Sequence, residues 1–148
     1  MSPFTAGKIL KRIEKISHKK FVIHGSITKR SVLIPKKPLP SARVKTFHQK
    51  AVYATSVVEI AILYAVIHGD PRWKYIPKEG FCVIVPEGGY KLCEGYIHVC
   101  LRKDFKGGPL ASFSKKPVVP TDVIKVHPDM LTILKETNRL IFVEKQLP

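Results

Sequence analysis

Two short stretches of this chain hold side chains that could meet a ligand. In Phe21-Val22-Ile23-His24-Gly25-Ser26 an apolar run leads into an imidazole, a glycine and a hydroxyl. An imidazole nitrogen can pair with a ligand hydroxyl, and glycine lets the backbone beside it approach an amide or a phosphate closely. Further along, Ala51-Val52-Tyr53-Ala54-Thr55-Ser56 offers a phenol whose flat face can stack on a planar ring. Each has a plainer use. A histidine at a strand end often serves only as a hydrogen-bonded structural group, and a tyrosine beside Val52 suits a core.

Charge supplies the third chemical signal. The chain of 148 residues carries +15, and residues 1–50 hold thirteen Lys and Arg against the single acid Glu14, while residues 51–148 hold thirteen against ten. Lys19, Lys20, Lys29, Arg30, Lys36, Lys37, Arg43 and Lys45 are therefore candidate contacts for a nucleic acid, RNA or DNA, or for a phosphate-bearing ligand. A solvated basic surface that keeps the protein soluble is the alternative. Metal chemistry has no support. The six histidines never fall at HxH or HxxxH spacing, and Cys82, Cys93 and Cys100 form no CxxC pair, which fits free thiols.

These groups need elements to position them. Length and 45% apolar content fit one domain, 1–148, of α+β class: small mixed or antiparallel sheets with two or three helices. No apolar run reaches bilayer length and no signal peptide is evident, so no membrane partner and a cytoplasmic location are expected. Ile9, Leu10, Ile13 and Ile16 mark an amphipathic basic helix from Thr5, and the prolines of 35–41 mark an extended loop. Phe21-Val22-Ile23 reads as a strand broken by His24-Gly25-Ser26, and Ala51–Ala54 as a second strand. Ser56 and Glu59 form the pattern of a capping box before a helix whose Val57, Ile60, Ala61, Tyr64, Ala65 and His68 share one face, with Gly69 as its stop. Further strands are expected at Phe81–Val85, Gly95–Leu101, Val123–His127 and Leu140–Val143, and a short helix from Pro128. Trp73, among alternating cations and aromatics, reads as part of a loop that stacks bases or folds back on the domain.

Together, the strand ending in His24-Gly25-Ser26 and the strand bearing Tyr53, followed by a helix with Ile60-Ala61 and Tyr64-Ala65, resemble the ADP-ribosyltransferase superfamily. That superfamily includes the poly(ADP-ribose) polymerases and the RNA 2'-phosphotransferases. The resemblance spans about half of the chain. It implies NAD as cofactor, with His24 on the adenosine ribose, Gly25 on the nicotinamide amide and Tyr53 on the nicotinamide ring; Ser26 and Tyr64 are further candidate cofactor-binding residues, and His24 and Tyr53 are candidate catalytic residues as well. Transferases of this kind carry a Glu at the start of a late strand. In this chain the segment Ala111-Ser112-Phe113-Ser114 looks like that region and offers Ser112 or Ser114 instead. A hydroxyl brings no negative charge to a cationic transition state, so the resemblance implies nucleotide binding more directly than ADP-ribosyl transfer. Glu94 and Glu144 could substitute only if the fold brings them round.

The expected function is therefore an NAD- or nucleotide-binding, transferase-like domain acting on or near nucleic acid. A non-catalytic nucleic-acid-binding protein is the alternative, and a module that docks an acidic protein partner is a third class.

Overall fold

A computed structural model describes residues 3–16, 20–37, 50–69, 71, 73–76, 81–84 and 90–142. Its class is α+β, with three α-helices and small, mostly antiparallel sheets among the described residues.

Helix α1 (Pro3–Ile16) follows the aliphatic spacing: Ala6, Leu10 and Ile13 are buried, Ile9 and Ile16 pack at the edge, and Lys8, Lys11, Arg12 and Lys15 face water. Strand β1 (Phe21–Ser26) does not break at His24. It pairs with β7 (Gly95–Leu101) without interruption from Phe21–Leu101 to Ser26–Tyr96, because the opposite strand satisfies its backbone throughout. On its other side β7 carries β10 (Asp122–Val126), completing an antiparallel sheet.

A second antiparallel sheet consists of β2 (Val52–Ala54), β9 (Ser112–Ser114) and β8 (Lys106–Gly107). The two sheets join at Ile23 and Thr55, whose amides and carbonyls pair reciprocally at 2.9 and 2.8 Å. Elsewhere β3 (Ile67–His68) pairs with β6 (Lys91–Leu92). Strands β4 (Trp73–Ile76), β5 (Phe81–Ile84) and β11 (Leu140–Phe142) form a third sheet, in which β11 runs parallel to β5. Trp73 thus opens a strand and packs against the core, the fold-back arrangement, though on a strand where the sequence suggested a loop. The expected strands over Gly95–Leu101 and within 81–85, 123–127 and 140–143 are present, and α3 (Asp129–Glu136) follows Pro128.

Helix α2 (Val58–Val66) departs from expectation. It is buried nearly all round, with only Tyr64 half-buried, where the sequence suggested a single apolar face. It also ends at Val66, so that His68 lies in a strand while Gly69, with φ of 123°, still makes the turn. The capping box does not form. Ser56 Oγ accepts from Arg102 Nη2 at 2.6 Å, and Glu59 is taken by Arg139 Nε at 2.8 Å. Thr55 Oγ1 instead accepts the Val57 amide at 3.0 Å.

Arg139 also reaches Glu14 of α1, so one guanidinium ties both helices to the turn before β11. The Glu59 side chain is only 10% exposed and Arg139 30%. Removing one partner leaves a nearly buried carboxylate without its counter-charge. Arg139→Met should lower stability by about 2 kcal/mol, a value reduced from the fully buried case because Arg139 and Glu14 retain solvent. Urea unfolding would measure this, and Glu59→Gln added to Arg139→Met should recover part of the loss.

The main core lies between α2, α1, α3 and the β1–β7–β10 sheet. On the opposite face of β1 a smaller cluster gathers Val22, Leu33, Val52, Ala54, Cys100 and Val118. Among the described residues Cys93 and Cys100 are free, and burial, with a smaller contribution from Asp104, pushes the Cys100 thiol up to about 12, which makes it unreactive at neutral pH. No helix among the described residues is long and apolar enough to cross a membrane, and no three-residue His, Cys, Asp or Glu group among them could hold a metal.

Candidate functional site

Strand parity determines what β1 presents. Ile23 and Gly25 turn their Cα positions toward α2, whereas Val22, His24 and Ser26 lie on the other face. Along the edge, Ile23 spends its amide and carbonyl on Thr55, and alternation points those of Gly25 to the same edge, level with Tyr53 in the register that this bridge sets. Off that edge opens a cavity of about 300 Å³. Its wall includes His24, Gly25 and Ser26 from β1, Tyr53 and Thr55 from the β2 segment, and Ala61 and Tyr64 from α2. The 27–37 segment closes the other side with Ile34, Arg30, Lys36 and Lys37.

His24 is held by a hydrogen-bond chain. The Arg30 amide donates to His98 Nε2 at 3.0 Å, His98 Nδ1–H donates to the His24 carbonyl at 3.2 Å, and His24 Nδ1–H donates to the Tyr53 carbonyl at 2.5 Å. The two rings meet edge-on with centroids 5.7 Å apart. Each imidazole therefore carries its proton on Nδ1, and His24 Nε2 is left as an acceptor with no partner among the described residues. Burial, reinforced by His98, Lys36 and Arg30 and opposed by the bond to Tyr53, lowers His24 from 6.5 to about 4. Burial is also the main reason that His98 lies below the ordinary range. Both rings are neutral at physiological pH.

Tyr53 is half-buried and faces away from Val52 and Ala54, whose side chains belong to the smaller core. Tyr64 reaches the cavity from α2, and its hydroxyl accepts from Trp73 Nε1 at 2.9 Å. The single Trp of the chain is thus bonded to a wall of the cavity.

The structure brings His24, Gly25, Ser26, Tyr53 and Tyr64 together with Arg30, Lys36 and Lys37. It does not bring Ser112 and Ser114 to the cavity. They alternate to the buried face of β9 on either side of Phe113, the register partner of Tyr53, and their hydroxyls donate to the Gly108 and Lys116 carbonyls at 2.9 and 3.0 Å. Both hydroxyls are thus spent on backbone carbonyls, away from the described cavity wall. Glu94 is exposed and paired with Lys125 at 2.8 Å, away from the cavity wall. Lys20 and Lys29 are exposed outside the wall, while Lys19, Arg43, Lys45 and Glu144 lie outside the described residues. Among the described wall residues every formal charge is positive, and no carboxylate is present.

His98 and Thr55 are site components that sequence reasoning missed. The alternation within Gly95–Leu101 marks His98 as a residue with a fixed face, but its partners come from residues 24 and 30. Comparison with known protein families, curated proteins and solved structures found no match to this chain.

Proposed function

We propose that the cavity binds NAD or a related nucleotide, in the manner of an ADP-ribosyltransferase-like domain, and that the surrounding cations bring nucleic acid to it. The observation that carries this reading is the convergence of His24, the open backbone edge of Gly25, Tyr53 and Tyr64 on one cavity whose described charged residues are all cationic. The tyrosines offer flat faces for a base or nicotinamide ring, the Gly25 edge suits a carboxamide, and Arg30, Lys36 and Lys37 suit phosphates. A volume of about 300 Å³ takes one half of a dinucleotide, leaving the other along the basic 27–37 segment.

With no carboxylate on the described wall, nothing there would balance the positive charge that develops on a ribose during transfer. The reading is therefore nucleotide binding without ordinary ADP-ribosyl transfer. NAD or ADP-ribose at tenfold above its Kd should add about 1.4 kcal/mol and raise the melting temperature by a few degrees. Trp73 emission should change with the same midpoint, because its indole is bonded to Tyr64. Tyr53→Ala should weaken binding at least tenfold, the value of about one stacked ring. Absence of both the thermal shift and the emission change at millimolar ligand would remove the reading.

A further inference from the structure

The resemblance assigns the His24 ring to a ribose hydroxyl, but its surroundings match an anion better. His98 faces it from β7, Arg30 and Lys36 approach it from the 27–37 segment, and Lys37 stands on the same wall. Tyr53 of β2 and Tyr64 of α2 share the lining, and none of the described wall residues is acidic. The Tyr53 carbonyl fixes the ring with Nε2 as its acceptor nitrogen, uncommitted among the described residues. An acceptor nitrogen among cations repels a phosphate oxygen, since both are electron-rich; a proton placed between them turns that repulsion into a charge-assisted hydrogen bond.

We propose that the cavity seats the phosphate portion of its ligand against His24, and that binding there loads one proton from solvent onto Nε2. The proposal rests on the nucleotide reading only for its choice of ADP-ribose as a probe. Without ligand, Arg30, Lys36 and His98 oppose a further positive charge on the ring, and burial opposes it more. A bound phosphate diester cancels the cations and pairs with the new charge, so ligand and proton bind cooperatively and each raises the affinity for the other. The site would thus hold a non-titrating anion more tightly as pH falls, and would select ligands whose anionic group reaches to the β1 edge.

ADP-ribose and inorganic sulfate both keep constant charge between about pH 5 and 8, so any pH dependence of their binding originates in the protein. Calorimetric titration of each at pH 7.5, 6.5 and 5.5, in two buffers of different ionisation heat, measures affinity and proton uptake together. ADP-ribose should bind about tenfold more tightly at pH 5.5 than at 7.5, with uptake approaching one proton per site. His24→Gln, with folding verified by circular dichroism, should abolish both the uptake and the pH dependence. Affinity for ADP-ribose that is constant with pH and without proton uptake would overturn the proposal while leaving the nucleotide reading intact. Proton-coupled binding of sulfate, with ADP-ribose inactive, would support the proposal and end the nucleotide reading; binding of neither probe would end both. Persistence of the pH dependence in His24→Gln would also overturn it, because the proton would then load elsewhere.

Discussion

Replacing Gly25 with alanine should destabilise the protein by more than about 3 kcal/mol, enough to leave little folded material if total stability lies near the ordinary 5–15 kcal/mol. A Cβ at this position would stand 1.9 Å from the Ala61 carbonyl oxygen and 3.0 Å from the Ala65 amide nitrogen, both backbone atoms of α2. No rotamer relieves such a contact, so either the helix lifts from β1 or the strand bends. Gly95 of β7 repeats the arrangement one strand over, with a Cβ 1.6 Å from the Ala65 carbonyl oxygen, and Gly95→Ala should be as damaging. The two glycines and the alanines opposite them let the most buried helix of the molecule lie directly on the sheet. Gly7 of α1 provides the control. It has open space within 4 Å, and Gly7→Ala should stabilise by about 1 kcal/mol through helix propensity alone. Urea midpoints of the three variants decide the matter: a Gly25→Ala protein within 1 kcal/mol of wild type would mean that α2 does not sit where it is described.

That result bears on what could be read beforehand. His24-Gly25-Ser26 reads in sequence as a ligand-facing motif, yet the Cα of Gly25 is explained by helix packing, and only its backbone edge faces the cavity. Helix α1 was legible because its aliphatic spacing needs no distant partner. The capping box was not, because Arg102 and Arg139, 46 and 80 residues from the side chains they bind, took Ser56 and Glu59 away from the helix end. The run Val57-Val58-Glu59-Ile60-Ala61-Ile62-Leu63 has no wet face, and the six positions that share one stripe are only part of the surface that α2 buries. Alternation at Trp73-Lys74-Tyr75 has the period of a strand, which β4 is. The meeting of His24 with Tyr53 depends on the single bridge between Ile23 and Thr55, a long-range pairing that no local pattern specifies; only the resemblance pointed to it.

Acid should unfold this protein earlier than its carboxylates alone would dictate. In the folded state His24 titrates near 4, in the unfolded chain near 6.5, so burial has depressed the folded value. Above about pH 6.5 both states are neutral at this ring and its contribution is constant. Below that value the unfolded chain binds a proton that the native ring refuses, and stability falls by about 1.4 kcal/mol per pH unit until the native ring also titrates. The total for His24 is about 3 kcal/mol lost between pH 6.5 and 4. His98, displaced in the same direction by burial, adds to the loss over the same side of the pH scale. The informative window is pH 6.5 to 5, where most carboxylates remain ionised and cannot account for a decline. Urea unfolding at half-unit intervals should show the slope in wild type and a shallower one in His24→Gln; a flat profile down to pH 5 would show that neither ring is held neutral by the fold. A bound anion must act in the opposite sense. If it lifts the native value of His24 toward that of the unfolded chain, ADP-ribose should protect the fold more strongly at pH 5.5 than at 7.5, which ties the acid sensitivity of the empty protein to the proton that its ligand would bring.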